Sequence, residues 1–377
     1  MKNLQFQNKK YRIMLVGDPH CRPEDDTKHE QDVIKDYLSL QYAALEAAEP
    51  DLVVLMGDNA GGNTPEEVRE TLLRITQPYV QTDTPFTFIL GNHDLQYAGM
   101  DLKTLYRIYA SLPGIIMPED ITDFGDFRLS VRDPETGDSA LELLCVYSGS
   151  NAEARDYSVY DYVQPEQLRW IKATTEETTR RCGHVPTVVF QHIPVPEEYA
   201  LLKESAPFVM LGGGVAGQNE TRGKFFTKRK GVEGYFGEAP CSPGYNSKEF
   251  EVFKETGSVF AAFFGHDHLN DFVGMHDGII LGQCKTASFN VYGDGLRQGV
   301  RILDFRQDAP FVLDTHMLRY RDLLGKKCRS LSGSIAVLHD KTSMKLHAFG
   351  RVGIAAAVIA LPPAIIRAAK QYRNKRK

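Results

Sequence analysis

Residues 259–268 read VFAAFFGHDH, an uncharged apolar run that ends in Gly265-His266-Asp267-His268. A short continuous apolar run of this kind reads as a strand packed on both faces, and a polar group at its carboxyl end emerges where loops can shape a pocket. Four places upstream repeat the arrangement. Residues 11–16 (YRIMLV) run into Gly17-Asp18-Pro19-His20, and residues 51–56 (DLVVLM) into Gly57-Asp58-Asn59. Residues 86–90 (FTFIL) run into Gly91-Asn92-His93-Asp94, and residues 187–190 (TVVF) into Gln191-His192. Five strand ends can converge on one site.

What they present is a mixed oxygen and nitrogen donor set: two carboxylates (Asp18, Asp58), four imidazoles (His20, His192, His266, His268) and one amide oxygen (Asn92). Such a set suits manganese, iron or zinc better than calcium or a cysteine-rich structural zinc. Seven donors exceed what one ion takes. They suit two divalent transition metal ions about 3.5 to 4 Å apart that share a bridging carboxylate.

The order D-x-H, G-D, G-N-H-D, an isolated His, then G-H-D-H resembles the calcineurin-like metallophosphoesterases over roughly residues 10–305. The string GHDHLNDF at 265–272, with QHIPVPEE at 191–198, is similar to the purple-acid-phosphatase-like branch. The resemblance implies a four-layer α/β/β/α sandwich. It implies that Asp18, His20, Asp58 and His268 hold one ion and that Asp58, Asn92, His192 and His266 hold the other, with Asp58 bridging and a shared hydroxide as nucleophile. His93 resembles no ligand position, and is expected to stabilise charge on, or donate a proton to, the leaving oxygen; Asp94 is expected to orient it. One departure is visible. Purple acid phosphatases carry a tyrosine after the G-D motif, whereas here Asn59, Ala60 and Gly61 follow Asp58 and His20 stands in the first motif. A colourless enzyme is expected.

Between the motifs, helical patterns cover 32–48 and 65–75, and Pro165 starts another helix, so strands alternate with helices as an α/β fold requires. Strands are also expected at 141–146, 278–282, 300–305 and 311–318. At 377 residues, 42% hydrophobic and 25% charged, the chain can bury one large core. A net charge of −5 offers no basic field for nucleic acid. Six cysteines without a C-x-x-C pattern suggest free thiols in a reducing compartment, with Cys21 beside His20. The first ten residues lack a secretory apolar region, so a cytoplasmic location is the expectation. His29, His184, His276, His316, His339 and His347 read as structural or solvated.

The catalytic domain is read as 1–325, with a long Gly- and aromatic-rich insertion at 197–257 as a substrate lid. Its basic cluster Lys224, Lys228, Arg229 and Lys230 either grips phosphate or solvates a loop. Residues 326–351 read as a linker and 352–377 as a tail. Within the tail, 352–366 (VGIAAAVIALPPAII) is uncharged and is followed by Arg367, Lys370, Arg373, Lys375, Arg376 and Lys377. Fifteen helical residues reach about 22 Å against a hydrocarbon core of about 30 Å, and Pro362-Pro363 would kink them. Peripheral attachment to the inner face of the membrane fits this better than a span; packing on the domain is the other option.

The function expected is a metal-dependent phosphomonoesterase acting on a phosphorylated small molecule or a phosphoprotein. A phosphodiesterase on the same centre is the alternative, and a non-catalytic scaffold of the same fold a remote one.

Overall fold

A computed structural model describes residues 4–24, 27–96, 99–151, 159–325 and 328–330. The expected apolar and basic tail, 352–377, lies outside the described residues. In chain order the elements are β1 (Lys10–Val16), α1 (Lys28–Ala48), β2 (Leu52–Met56), α2 (Pro65–Gln81), β3 (Phe86–Ile89), α3 (Leu102–Ala110), β4 (Phe127–Arg132), β5 (Ser139–Val146), α4 (Pro165–Cys182) and β6 (Thr187–Gln191). There follow β7 (Leu202–Glu204), β8 (Val215–Ala216), β9 (Phe225–Lys228), α5 (Glu249–Thr256), β10 (Val259–Phe264), β11 (Val273–His276), β12 (Ile279–Gln283), β13 (Gly299–Arg306), β14 (Leu313–Arg319) and α6 (Tyr320–Leu324).

Two mixed sheets stack face to face. The first has the order β14-β13-β1-β2-β3 and the second β11-β12-β10-β6-β5-β4. β1, β2 and β3 run parallel, as do β12, β10, β6 and β5, while the outer strands β13, β14, β4 and β11 pair antiparallel. The parallel strands are buried on both faces, which is why their sequences are continuous apolar runs.

Strand periodicity divides the interior. Leu143, Cys145, Val188, Phe190, Ala261 and Phe263 pack into the core that faces the first sheet and joins α1, α2 and α3 beyond it. Their neighbours Leu144, Val146, Val189, Ala262 and Phe264 turn to the opposite face, against Ile171 of α4 and Phe250 and Phe253 of α5. The result is the four-layer α/β/β/α sandwich. Each large apolar side chain buried this way contributes about 1.5 to 3 kcal/mol relative to exposure.

Local signals set the helices. Thr64 caps α2 by accepting from the Glu67 amide at 3.2 Å, and Pro65 stands where a missing N–H costs nothing. The helix runs beyond the expected residue 75 to Gln81 because Tyr79 and Ile75 still face the core and Pro78 falls in its last turn.

Two further segments are ordered. The 197–257 insertion is a folded lobe with its own three-stranded sheet, β7-β9-β8. Its stems are tied down at buried sites: Gln283 Nε2 donates to Glu198 at 2.7 Å, and Gln191 Nε2 to Glu249 at 3.3 Å. Residues 329 and 330, inside the segment read as a linker, are packed on the domain. The amides of Arg329 and Ser330 and the Ser330 hydroxyl all donate to Asp36 on α1, which holds the chain on the domain as far as Ser330.

Candidate metal centre

The ligand loops leave their strands at the carboxyl ends, and the turns are sharp. Asp18, His20, Asp58 and His266 have φ of 45°, 44°, 51° and 71°. This left-handed region is unfavourable for residues with a Cβ, at about 1 to 3 kcal/mol each, and persists only where the surroundings enforce it. Glycine makes the crowding feasible: a Cβ on Gly91 would stand 2.2 Å from Asp58 Oδ1. Two sheets are joined at this point, because the Ala287 amide donates to Gly17 O at 2.7 Å and the Thr286 hydroxyl to Asp18 O at 2.8 Å.

The seven donors meet in one buried cluster. Asp18, His20 and His268 form one group and Asp58, His192 and His266 another, the ligand atoms within each lying no more than 4.8 Å apart. Asp58 belongs to both: its Oδ2 lies 3.3 Å from His20 Nε2 and 3.3 Å from His192 Nε2. Asn92 Oδ1 approaches His192 Nε2 at 3.1 Å, which adds an amide oxygen to the second group. His20 Nε2 and His268 Nε2 stand 3.3 Å apart. None of the seven is more than 8% exposed.

The imidazoles are aimed by their second nitrogens. His192 Nδ1 donates to Met56 O at 2.8 Å and His268 Nδ1 to Tyr292 O at 3.0 Å, which leaves each Nε2 lone pair facing the centre. His266 Nε2 is buried with no hydrogen-bond partner among the described residues, although buried polar atoms are rarely left so. That orphaned nitrogen, beside two carboxylates and an amide oxygen, fits two transition ions.

Electrostatics favour the donor form at three of the four imidazoles. Burial pushes His20 down to about 4, and holds His266 and His268 low with help from neighbouring imidazoles, so all three are neutral with lone pairs available. Burial likewise raises Asp18 well above the carboxylate range. Burial opposes a charged His192, yet Asp58 and Asp18 outweigh it and push the ring up to about 10; the same attraction holds Asp58 well below its ordinary value against burial. Metal ligation would require both Asp18 and His192 to give up their protons.

The expected pairing of His93 with Asp94 is corrected. The Asp94 carboxylate accepts the amides of Gly91 at 2.7 Å, Asp58 at 2.9 Å and Asn59 at 2.9 Å, so it clasps two ligand loops. His93 Nδ1 faces Gln96 Oε1 at 2.8 Å instead, and its backbone amide donates to Asp58 Oδ1 at 2.8 Å. Adjacent residues in this turn point in opposite directions. The His93 ring remains at the centre, 5.6 Å from that of His20.

The sequence places the pocket walls in the insertion and in 151–162, which hold Glu238, Asn151 and Tyr160, but it does not single out these side chains and leaves Tyr292 without a wall role. Tyr292 stacks on His268 with centroids 4.1 Å apart, and its hydroxyl donates to Glu238 of the insertion at 3.1 Å. Tyr160 stands edge-on to His266 at 4.4 Å, and Asn92 Nδ2 donates to Asn151 at 3.0 Å. None of these follows a strand, so no local pattern marks them. Cys21 is buried and its thiol is pushed up to about 12, which leaves it an inert neighbour of His20.

Comparison with known proteins agrees with this geometry. The calcineurin-like phosphoesterase family profile matches residues 11–270. The chain is 29% identical over 283 residues to the probable inactive purple acid phosphatase 14 of Arabidopsis thaliana, covering 69% of this chain and 64% of that protein. It is 25% identical over 310 residues to the probable inactive purple acid phosphatase 28 of the same plant, covering 75% and 72%. The chain thus spans about two thirds of the length of such relatives. Among solved structures, GAP50, titled the anchor in the inner membrane complex of Plasmodium, shares the fold with a TM-score of 0.50, 11% identity and coverage of 90% of this chain and 95% of that one.

Proposed function

This chain belongs to the calcineurin-like phosphoesterase family, and from that premise we propose that it is an active phosphomonoesterase dependent on two transition metal ions, taken from manganese, iron and zinc. The observation that carries the reading is the position of Asp58, whose Oδ2 stands 3.3 Å from a histidine of each ligand group. The Arabidopsis relatives are named probable inactive; in this chain all seven donors face one buried centre, which supports activity.

Ions held by Asp18, His20 and His268 on one side and Asn92, His192 and His266 on the other, with Asp58 between, would supply Lewis acidity and lower the pKa of water from about 15.7 toward about 7. The protein's own part is orientation and proton delivery. Gln96 Oε1 accepts a hydrogen bond from His93 Nδ1–H, which fixes the ring so that Nε2 would give a proton to, or hold charge on, the leaving oxygen. Asp94 keeps the Asp58 and Asn92 loops in register by binding their amides. The substrate class we propose is a phosphorylated small molecule or phosphoprotein. No helix among the described residues is long and apolar enough to cross a membrane; the uncharged stretch at 352–366 with its basic end is proposed as a peripheral attachment to an anionic surface.

The test is a panel of phosphomonoesters and phosphodiesters, assayed after chelation and refilling with Mn²⁺, Fe²⁺, Zn²⁺ or Mg²⁺. Metal-restored hydrolysis of monoesters is expected. Faster turnover of diesters would select the phosphodiesterase alternative, and a protein loaded with two ions that hydrolyses neither would be a binding module of the same fold.

A further inference from the structure

The insertion lobe carries an apolar ridge. No residue between Glu204 and Glu220 is charged, and within that stretch Pro207–Gly212 forms a 3₁₀ helix with no buried residue. Side chains three apart eclipse one another in such a helix, so Phe208 and Leu211 share one face. They are 72% and 56% exposed, and Phe208 is the most exposed large hydrophobic among the described residues. Val209 turns inward instead, against Gly214. Apolar side chains presented together on a folded support mark an interaction surface.

The ridge belongs to a stretch of chain rich in positive charge. From residue 203 to residue 230 the lobe has six cations, Lys203, Arg222, Lys224, Lys228, Arg229 and Lys230, against two acids, Glu204 and Glu220, on a chain whose net charge is −5. Lys203, Arg222, Lys224, Arg229 and Lys230 are exposed, and Lys224 is paired with Glu204 at 3.4 Å. The 3₁₀ helix lies against β8 and β9, the strand that these cations flank. Hydrocarbon for the ridge and anionic headgroups for its rim are both found at a bilayer surface. The same two-part chemistry recurs at 352–377, where an uncharged stretch is followed by six cations.

We propose that Phe208 and Leu211 insert into an anionic membrane interface, so that the insertion lobe, and not the tail alone, faces the bilayer. The inference does not depend on the phosphohydrolase reading. The positive balance of residues 203–230 orients an otherwise acidic protein with this face toward the lipid, and the folded sheet beneath lets the ridge enter without an ordering cost.

The experiment uses the full chain with its tryptophan moved, Phe208→Trp in a Trp170→Phe background, and vesicles of phosphatidylcholine with or without phosphatidylserine. The expected result is a blue shift of the emission, and quenching by brominated acyl chains, with the anionic vesicles only. In the otherwise unaltered chain, Phe208→Ser with Leu211→Ser is expected to lower the vesicle-bound fraction at limiting lipid by roughly tenfold. Three results overturn the proposal: vesicles that sediment the protein while the emission at position 208 stays unchanged, which assigns binding to the tail; no sedimentation with either vesicle; or a shift that follows protein concentration without lipid, which assigns the ridge to a second copy. Positions 208 and 211 are exposed while Trp170 is partly buried against the α4 and α5 side of the core, and circular dichroism verifies the folding of both variants.

Discussion

The Asp94 carboxylate accepts the backbone amide of Asp58 at 2.9 Å, so the residue following His93 braces a metal-ligand loop and leaves its neighbour's ring to Gln96. Asp94→Ala would strand three buried amides, each costing about 1 to 3 kcal/mol. The expected outcome is a melting temperature several degrees lower and weaker binding of both ions, read by thermal denaturation and metal titration. Were Asp94 the orienting partner of His93, the variant would keep its stability and metals and lose rate alone.

His93→Ala should retain both ions, because neither ligand group contains it. Its kcat should fall by about 10²- to 10⁴-fold on alkyl phosphates, whose leaving oxygens need a proton, and by less on an activated aryl phosphate. Gln96→Ala should reproduce part of the loss with the same dependence on the leaving group. An equal fall on both substrates would assign His93 to charge stabilisation alone.

No tyrosine stands among Asn59, Ala60 and Gly61 after Asp58, and the Asn59 amide is turned into the core, donating to Ile89 O at 3.0 Å and the Tyr109 hydroxyl at 2.8 Å. The protein loaded with iron and oxidised should therefore show no visible tyrosinate band. A band that disappears on Tyr292→Phe or Tyr160→Phe would show that a wall tyrosine can swing onto the ion.

Burial raises the carboxyl of Glu198 from 4.5 to about 8, while Gln283 pulls it the other way. Its folded value lies above its unfolded one, so its contribution is fully present below about 4.5 and is lost as pH rises through about 8. Relative to the wild type, Glu198→Gln should gain melting temperature between pH 5 and pH 8, with little difference at pH 4. A constant difference across that range would mean the carboxyl is ionised throughout in the fold.

The central strands and the seven donors were legible in the sequence because continuous apolar runs ending in ligand types are a local pattern, and each ligand lies within a few residues of the end of its strand. The bracing was not legible. Asp94 is adjacent to His93 in sequence, yet the reversal of the turn after Gly91 sends its carboxylate to the 58–59 loop instead. Tyr292 and Glu238 reach His268 and one another across 24 and 54 positions, distances over which no periodicity carries information. The strand at Phe127–Arg132 went unread although Phe127, Leu129 and Val131 alternate with polar residues, since an edge strand carries half the apolar signal of a central one.

The most direct measurement is the metal content of chelated and refilled protein, for the wild type and for Asp58→Asn, by elemental analysis with calorimetric titration. Two ions per wild-type chain are expected, and weakened binding of both in the variant, because one carboxylate oxygen lies 3.3 Å from a histidine of each group. A wild-type chain that holds one ion or none under metal-replete conditions and still hydrolyses phosphate esters would contradict the dinuclear centre, as would an Asp58→Asn variant that loses one ion and binds the other undiminished.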